Sequence, residues 1–260
     1  MAIANIADFD AKQLRGFVIP VLMVVLWEGF SRAHWINPAL LSSPSAIAKA
    51  FGVYLGNGEL WQNLSASLTR MVLGWLSGIA VGLLLGAVIG LSTIGERLVG
   101  PLFNAFRQIA PFAWIPLISL WFGLGEGAKV AFIAIVALYP VTVNTFEGIR
   151  SVSKDLLEVG RVFNFNLLQK LRRIVIPSAT PAILNGLELA FLYSWLATIG
   201  AEYLLNSTGG LGALMDSAQE RLEMDVVFLG VITSGVVGYA ISVLTRATRT
   251  RLLGWRKSFV

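Results

Sequence analysis

The sequence predicts an all-α, polytopic membrane protein with about six transmembrane helices. Three observations carry this. The 260-residue chain is 56% hydrophobic and only 13% charged, where a soluble domain carries about 25% charged residues. Its apolar residues gather in runs near the roughly 20 needed to cross about 30 Å of hydrocarbon as a helix. Its basic residues cluster between alternate runs, as they do when they set membrane orientation. The absence of cysteine excludes disulfides and thiolate metal sites, and the single histidine, His34, leaves histidine-based catalysis without a partner. The net charge of +5 reads through its distribution as an orientation signal, not a nucleic-acid surface.

The runs are Phe17–Phe30, Met71–Leu91, Ile109–Leu124 (broken by Pro111 and Pro116), Val130–Phe146 (with Pro140), Ile183–Leu205 and Val226–Thr245. The first resembles a signal peptide. It follows Asp8 and Asp10 and has no small-x-small cleavage site, so it reads as a retained anchor. Between the first two runs, Ser43-Pro44-Ser45 opens a short helix through Tyr54, with Ser at the cap and Pro in the first turn. Gly56-Asn57-Gly58 ends it. Leu98–Phe106 is mildly amphipathic and suits an interfacial position. One membrane domain, 1–260, accounts for the chain: an anchor helix and outer segment over 1–60, then a core over 61–250.

With the N-terminus inside, the inner segments hold Lys12, Arg15, Arg97, Arg107, Arg150, Lys154, Arg161, Lys170, Arg172, Arg173, Arg246, Arg249, Arg251, Arg256 and Lys257. The outer segments hold only Arg32, Lys49, Arg70, Lys129 and Arg221. The inverse placement would violate the positive-inside rule, so both termini and the loop 150–177 are expected in the cytoplasm. The outer loop 206–225 is acidic, with Asp216, Glu220, Glu223 and Asp225. Its Gly209-Gly210-Leu211-Gly212 reads as a flexible docking loop.

Two patterns stand out. Gly74, Gly78, Gly82, Gly86 and Gly90 recur every four residues in the second run. On a helix they form a smooth groove that lets another backbone approach closely. A neighbouring span of the same chain, a sliding surface or a subunit interface could fill it. The second pattern is the charged loop Arg150–Pro177 between long apolar runs. It predicts a helix over Asp155–Phe163, a turn at Asn164, and a second short helix over Leu167–Ile176. Charge alone allows a lipid-anchoring loop as well as a partner-binding knob.

The residues of that loop favour a partner. Glu158, Asn164 six positions later, and Ile174-Val175-Ile176-Pro177 resemble the coupling-loop signature of ABC importer permeases: Glu-Ala-Ala, three residues, Gly, nine residues, Ile-x-Leu-Pro. Val159 and Gly160 stand for the two alanines, Asn164 for the glycine and Ile176 for the leucine. Gly160 would loosen the first helix by about 1 kcal/mol relative to Ala. Arg107-Gln108-Ile109-Ala110-Pro111, Ile115-Pro116-Leu117, Leu120-Trp121-Phe122-Gly123, Tyr139-Pro140, Asn144-Thr145, Gly148-Ile149-Arg150 and Glu59-Leu60-Trp61 resemble the permeases of the aliphatic sulfonate, taurine and nitrate importers. The similarity runs from about Pro38 to Val243.

The resemblance implies the type I ABC importer permease fold in a bacterial inner membrane. It also implies two permease copies, two ATPase subunits bearing ATP and Mg, a periplasmic binding protein, and no nucleic acid. Glu158, Val159, Gly160, Arg161, Phe163, Asn164, Phe165, Leu168, Ile174, Ile176 and Pro177 would form the ATPase joint. Glu158 and Arg161 would be its polar contacts; Phe163, Phe165 and Leu168 its apolar anchors. The chain has no Gly-x4-Gly-Lys-Ser/Thr loop, so hydrolysis would fall to the partner. The transported solute would be a small anion: an aliphatic sulfonate or taurine, with nitrate, bicarbonate or an aromatic acid as alternatives. Candidate path residues are Asn144, Thr145, Glu188, Ser194, Trp195, Thr198 and Glu202. Glu28, Glu188 and Glu202 could equally serve structure, because an acid within a span normally faces protein or water. A secondary transporter or channel is the alternative reading, and neither needs a cytoplasmic knob.

Overall fold

The computed structural model describes residues 4–252 apart from 34, 36, 38, 39, 206 and 207, and side chains from Val18 to Arg249. His34, Pro38, Arg256 and Lys257 therefore lie outside the described residues. The elements follow in order: α1 Ala4–Arg32, α2 Pro44–Gly56, α3 Glu59–Leu91, α4 Thr93–Phe106, a 3-10 turn Pro111–Trp114, α5 Ile115–Phe122, α6 Glu126–Arg150, α7 Lys154–Val162, α8 Leu167–Lys170, a π turn Leu171–Val175, α9 Ile176–Leu204, α10 Leu211–Glu220 and α11 Met224–Leu252. Among the described residues, Glu59–Leu91, Glu126–Arg150, Leu167–Leu204 and Met224–Arg249 are long and apolar enough to cross a membrane.

Two runs depart from the sequence expectation. The third is not one helix. Pro111 opens the 3-10 turn and Pro116 sits in the first turn of α5, where a missing N–H costs nothing. The eight residues of α5 rise only about 12 Å, and Gly123 ends the helix at φ 72°. The fifth run, conversely, has no break before it. The expected second short helix joins α9 through the π turn. Pro177 cannot donate to the carbonyl of Arg173 and its ring crowds that carbonyl, so the turn ahead of it widens.

The chain divides into two compact units, Met1–Trp61 with Leu214–Thr233, and Gln62–Ala213 with Ser234–Val260. In the first, Ser43 caps α2 by accepting from the N–H of Ala46 at 3.2 Å. Glu28 accepts from the N–H of Ser45 at 3.0 Å and pairs with Arg32 at 2.6 Å. Glu28 is thus a tie between α1 and the start of α2. Trp27 packs on Phe228 with ring centroids 5.6 Å apart.

The second unit is built on α6. The glycines of α3 lie against it: a Cβ at Gly74, Gly78, Gly82, Gly86 or Gly90 would meet Ile133, Ala137, Val141, Thr145 or Ile149 at 3.0 Å or less. On the other side α6 packs along α9, where a Cβ at Gly186 would lie 2.7 Å from Asn144 Cβ. Asn185 Nδ2 donates to Asn144 Oδ1 at 2.9 Å, and Asn144 Nδ2 to the Pro140 carbonyl at 2.8 Å. Trp195 of α9 donates to the Ser234 carbonyl at 3.0 Å. At the far end of α6, Arg150 pairs with Glu96 of α4; its guanidinium holds the Glu96 carboxyl below the usual carboxylate range.

Candidate functional site

Three features in the second unit are candidates: the knob between α6 and α9, a cavity beside Pro140, and a buried ion cluster.

The knob is stiff for local reasons. Ser153 caps α7, accepting from the N–H of Leu156 at 3.4 Å. At its other end the N–H of Phe165 bonds the Gly160 carbonyl and that of Asn164 the Arg161 carbonyl, both at 2.9 Å. This is a Schellman closure, which requires a left-handed residue after the cap. Asn164 supplies it at φ 50°, and glycine would fit there without strain. Asn166 and Gln169 then form a reciprocal capping box at 2.8 and 2.9 Å. Its Asn-x-x-Gln spacing was visible in the sequence, but neither residue was singled out.

Inside the knob, Ile174 and Val175 are buried with Val152, against Leu157 and Phe165. Phe165 lies under the Arg173 guanidinium, 5.3 Å from its ring centroid. Phe165 and Ile174 therefore face inward and hold the knob together. Phe165, named among the apolar anchors, is half-buried, whereas Phe163 and Leu168 are exposed. Gly160 is buried, and a Cβ there would lie 2.7 Å from Ile174 Cδ1, so its absence makes room for that side chain. The outer surface carries Glu158, Val159, Arg161, Phe163, Leu168, Ile176 and Pro177, all exposed. Val162, Phe163, Leu167 and Leu168 are each more than two-thirds exposed, an apolar ridge on a basic loop.

The cavity, about 530 Å³, is walled by the 3-10 turn, α6 and α9. Phe112, Phe132, Tyr139, Asn144, Leu189 and Tyr193 line it, and Arg107 is its one charged lining residue. Pro140 removes the helical bond to the Val136 carbonyl, and both residues are in the wall. Of the seven path candidates only Asn144 lines this space, with its amide committed to Pro140 and Asn185. Thr145 is buried against Gly86. Ser194 and Thr198 donate to backbone carbonyls of their own helix. Trp195 is tied to α11. Glu188 lies by Arg249, 3.5 Å away, and Glu202 is in the ion cluster. Arg107, Tyr139 and Tyr193 were not on the sequence's path, because nothing local shows which side of a helix faces a cavity.

The ion cluster joins α3, α6, α9 and the loop before α10. Arg70, buried, grips Glu126 through two bonds of 2.5 and 2.9 Å. It also bonds the Glu202 carboxylate at 2.6 Å and the Gly209 carbonyl at 2.7 Å. Lys129, also buried, reaches Glu126 at 2.9 Å. The second oxygen of Glu202 accepts from Ser67 at 2.8 Å and from the N–H of Gly212 at 3.0 Å. Ser67 accepts from the N–H of Leu211 at 2.9 Å, and Asn63 from that of Gly210 at 2.8 Å. Two cations face two carboxylates, and both oxygens of the fully buried Glu202 accept hydrogen bonds.

Arg70 and Lys129, which the sequence placed only on the outer side, are buried in this cluster. Glu202 takes the structural role that the sequence left open beside a path role. One expectation is corrected. The glycine loop is pinned, not flexible: a Cβ at Gly210 would lie 2.4 Å from the Glu202 carboxyl carbon, and one at Gly212 2.6 Å from Glu202 Cβ. The glycines are there because the backbone must lie against the ion pair.

The profile of the binding-protein-dependent transport system inner membrane components matches residues 78–253, which contain α6, the knob, α9 and α11. The chain belongs to this family. The permease is 33% identical over 246 residues to a Bacillus subtilis chain named for aliphatic sulfonates transport, covering 95% of this permease and 89% of the relative. It is 30% identical over 242 residues to the taurine transport system permease protein of Escherichia coli, covering 91% and 87%. In fold it matches a chain of an amino acid ABC transporter solved with histidines, at TM-score 0.66 and 18% identity over 77% of this permease and 97% of that chain. The fold is that of type I ABC importer permeases, and the protein is a multi-pass component of the inner membrane. The permease is the transport component, and a secondary transporter or channel is set aside by the family match.

Proposed function

We propose that this permease works as a homodimer, moving a small organic anion from periplasm to cytoplasm. An aliphatic sulfonate or taurine fits best. A periplasmic binding protein would deliver the solute, and two ATPases carrying ATP and Mg would drive the cycle from the cytoplasmic side. The distribution of basic residues supports that orientation, with both termini inside.

The observation that carries the substrate class is Arg107, the one charged group lining the cavity of the second unit. A guanidinium offers a planar fork of donors to a sulfonate or carboxylate, while Tyr139, Tyr193 and Phe112 give an apolar bed for a short alkyl or aryl group. The named transport roles of the relatives point to the same chemistry. The exposed ridge of the knob supports docking to the ATPase through Phe163 and Leu168, with Glu158 and Arg161 as polar contacts. Because α7 is held by side-chain and backbone bonds at both ends and packs on the π turn that carries α8 into α9, a push on it would tilt that span as a rigid body.

Reconstituted with its ATPase and binding protein, the Arg107→Gln permease is expected to import ethanesulfonate about tenfold more slowly, the value of one charged hydrogen bond. Stimulation of ATP hydrolysis by the binding protein should stay intact. Full uptake in that variant would remove the anion-guiding role of the cavity.

A further inference from the structure

Glu188 has no part in the cavity or the knob. It lines, with Arg249, a second recess, about 270 Å³, walled by α3, α9 and α11 through residues that include Trp75, Leu187, Phe191 and Leu244. We propose that this recess binds a phospholipid with an ethanolamine headgroup, its tail on the apolar wall and its head between Glu188 and Arg249. The inference goes beyond the transport reading. It rests on the proposed orientation only for the leaflet, which would be the inner one.

Four observations support it. First, the wall is apolar and aromatic: Trp75 and Phe191 pack edge to face at 4.8 Å, and the recess lies along three helices long and apolar enough to cross a membrane. Second, its charged groups lie on the inner side of the aromatic pair. Arg249 is in the last turn of α11, in the inner basic set, and Glu188 is about one turn before Phe191 on α9, whereas Trp75 is about midway along α3. An amphiphile with one head and a tail pointing to mid-membrane has this layout. Third, the Glu188–Arg249 pair is loose. Its N–O distance is 3.5 Å, whereas a committed charged hydrogen bond is about 2.7–2.9 Å. The Arg249 side chain is 46% exposed and that of Glu188 16%, so both can take a further partner. Fourth, the two charges are of opposite sign. A phosphate would accept from Arg249 and a primary ammonium would donate to Glu188. Choline has no N–H to donate, and glycerol brings no cation, leaving Glu188 facing an anionic head. An acid at this depth is expected to face a polar partner.

The test uses the full chain purified in mild detergent, mixed with equal amounts of phosphatidylethanolamine, phosphatidylcholine and phosphatidylglycerol of one acyl composition. Retained lipid is read by native mass spectrometry. The wild type should keep phosphatidylethanolamine about tenfold over either competitor, the scale of one charged hydrogen bond. Glu188→Gln should bring ethanolamine and choline lipids level, and Arg249→Gln should lower retention of all three. Equal retention by the wild type, a preference for phosphatidylglycerol, or no bound lipid would overturn the proposal. The wild-type comparison stands even where a variant folds poorly. Retention is measured without a bilayer, so an error in orientation cannot produce or hide the result.

Discussion

Arg70→Met is expected to destabilise the purified permease by about 3–5 kcal/mol, the cost of stranding a buried charge. At about 2–4 °C per kcal/mol for a chain of this size, its melting temperature in detergent should fall by roughly 10 °C. Glu126 can turn to solvent when Arg70 is lost, since its side chain is 57% exposed, but Glu202 has no exposure at all. The carboxylate would keep Ser67 and the N–H of Gly212 and lose its countercharge. The double variant Arg70→Met, Glu202→Gln should recover part of the loss, because contacting residues in one network couple by about 0.5–3 kcal/mol. A single variant that melts with the wild type would show that the cluster does not hold the loop to α3 and α9.

The second large effect is at the α3–α6 contact. Gly78→Ala is expected to cost at least the roughly 1–3 kcal/mol of an overpacked core and to reduce the yield of folded permease. The new methyl would lie 2.6 Å from the Ala134 carbonyl oxygen and 2.6 Å from Ala137 Cβ. The first is backbone, so no rotamer change relieves it. Gly235→Ala in α11 is the control. No neighbouring atom lies within 4 Å of a Cβ there, and alanine should be neutral or better by up to about 1 kcal/mol. Equal melting of the two variants would mean that close approach along the glycine stripe contributes nothing.

The glycine stripe and the knob were legible in the sequence for the same reason. Both are local patterns. A four-residue repeat lies along one side of a helix, and a left-handed Asn between two short apolar segments marks a turn. The ion cluster was not legible. Arg70, Glu126, Lys129 and Glu202 are spread over more than half the chain, and each taken alone reads as a loop charge or a path residue. Only packing of three helices shows that they neutralise one another. The length of the third apolar run misled for a related reason. Composition counted its residues toward a span, while Pro111 and Pro116 had already divided its hydrogen-bond ladder. The cavity residue Arg107 sits at the end of α4, among charges that sequence could assign only to one side of the membrane.

The central claim is that the exposed ridge of the knob is the joint to an ATPase. Its direct test is co-purification of the tagged permease with a candidate ATPase partner. The wild type is expected to retain the ATPase at equal stoichiometry. Phe163→Asp combined with Glu158→Arg places two charge changes on exposed positions, outside the buried core of the knob, so the variant should melt close to the wild type. It should nonetheless lose the ATPase and, with it, stimulated ATP hydrolysis. An ATPase that stays bound to this variant, or that never binds the wild type, would contradict the account.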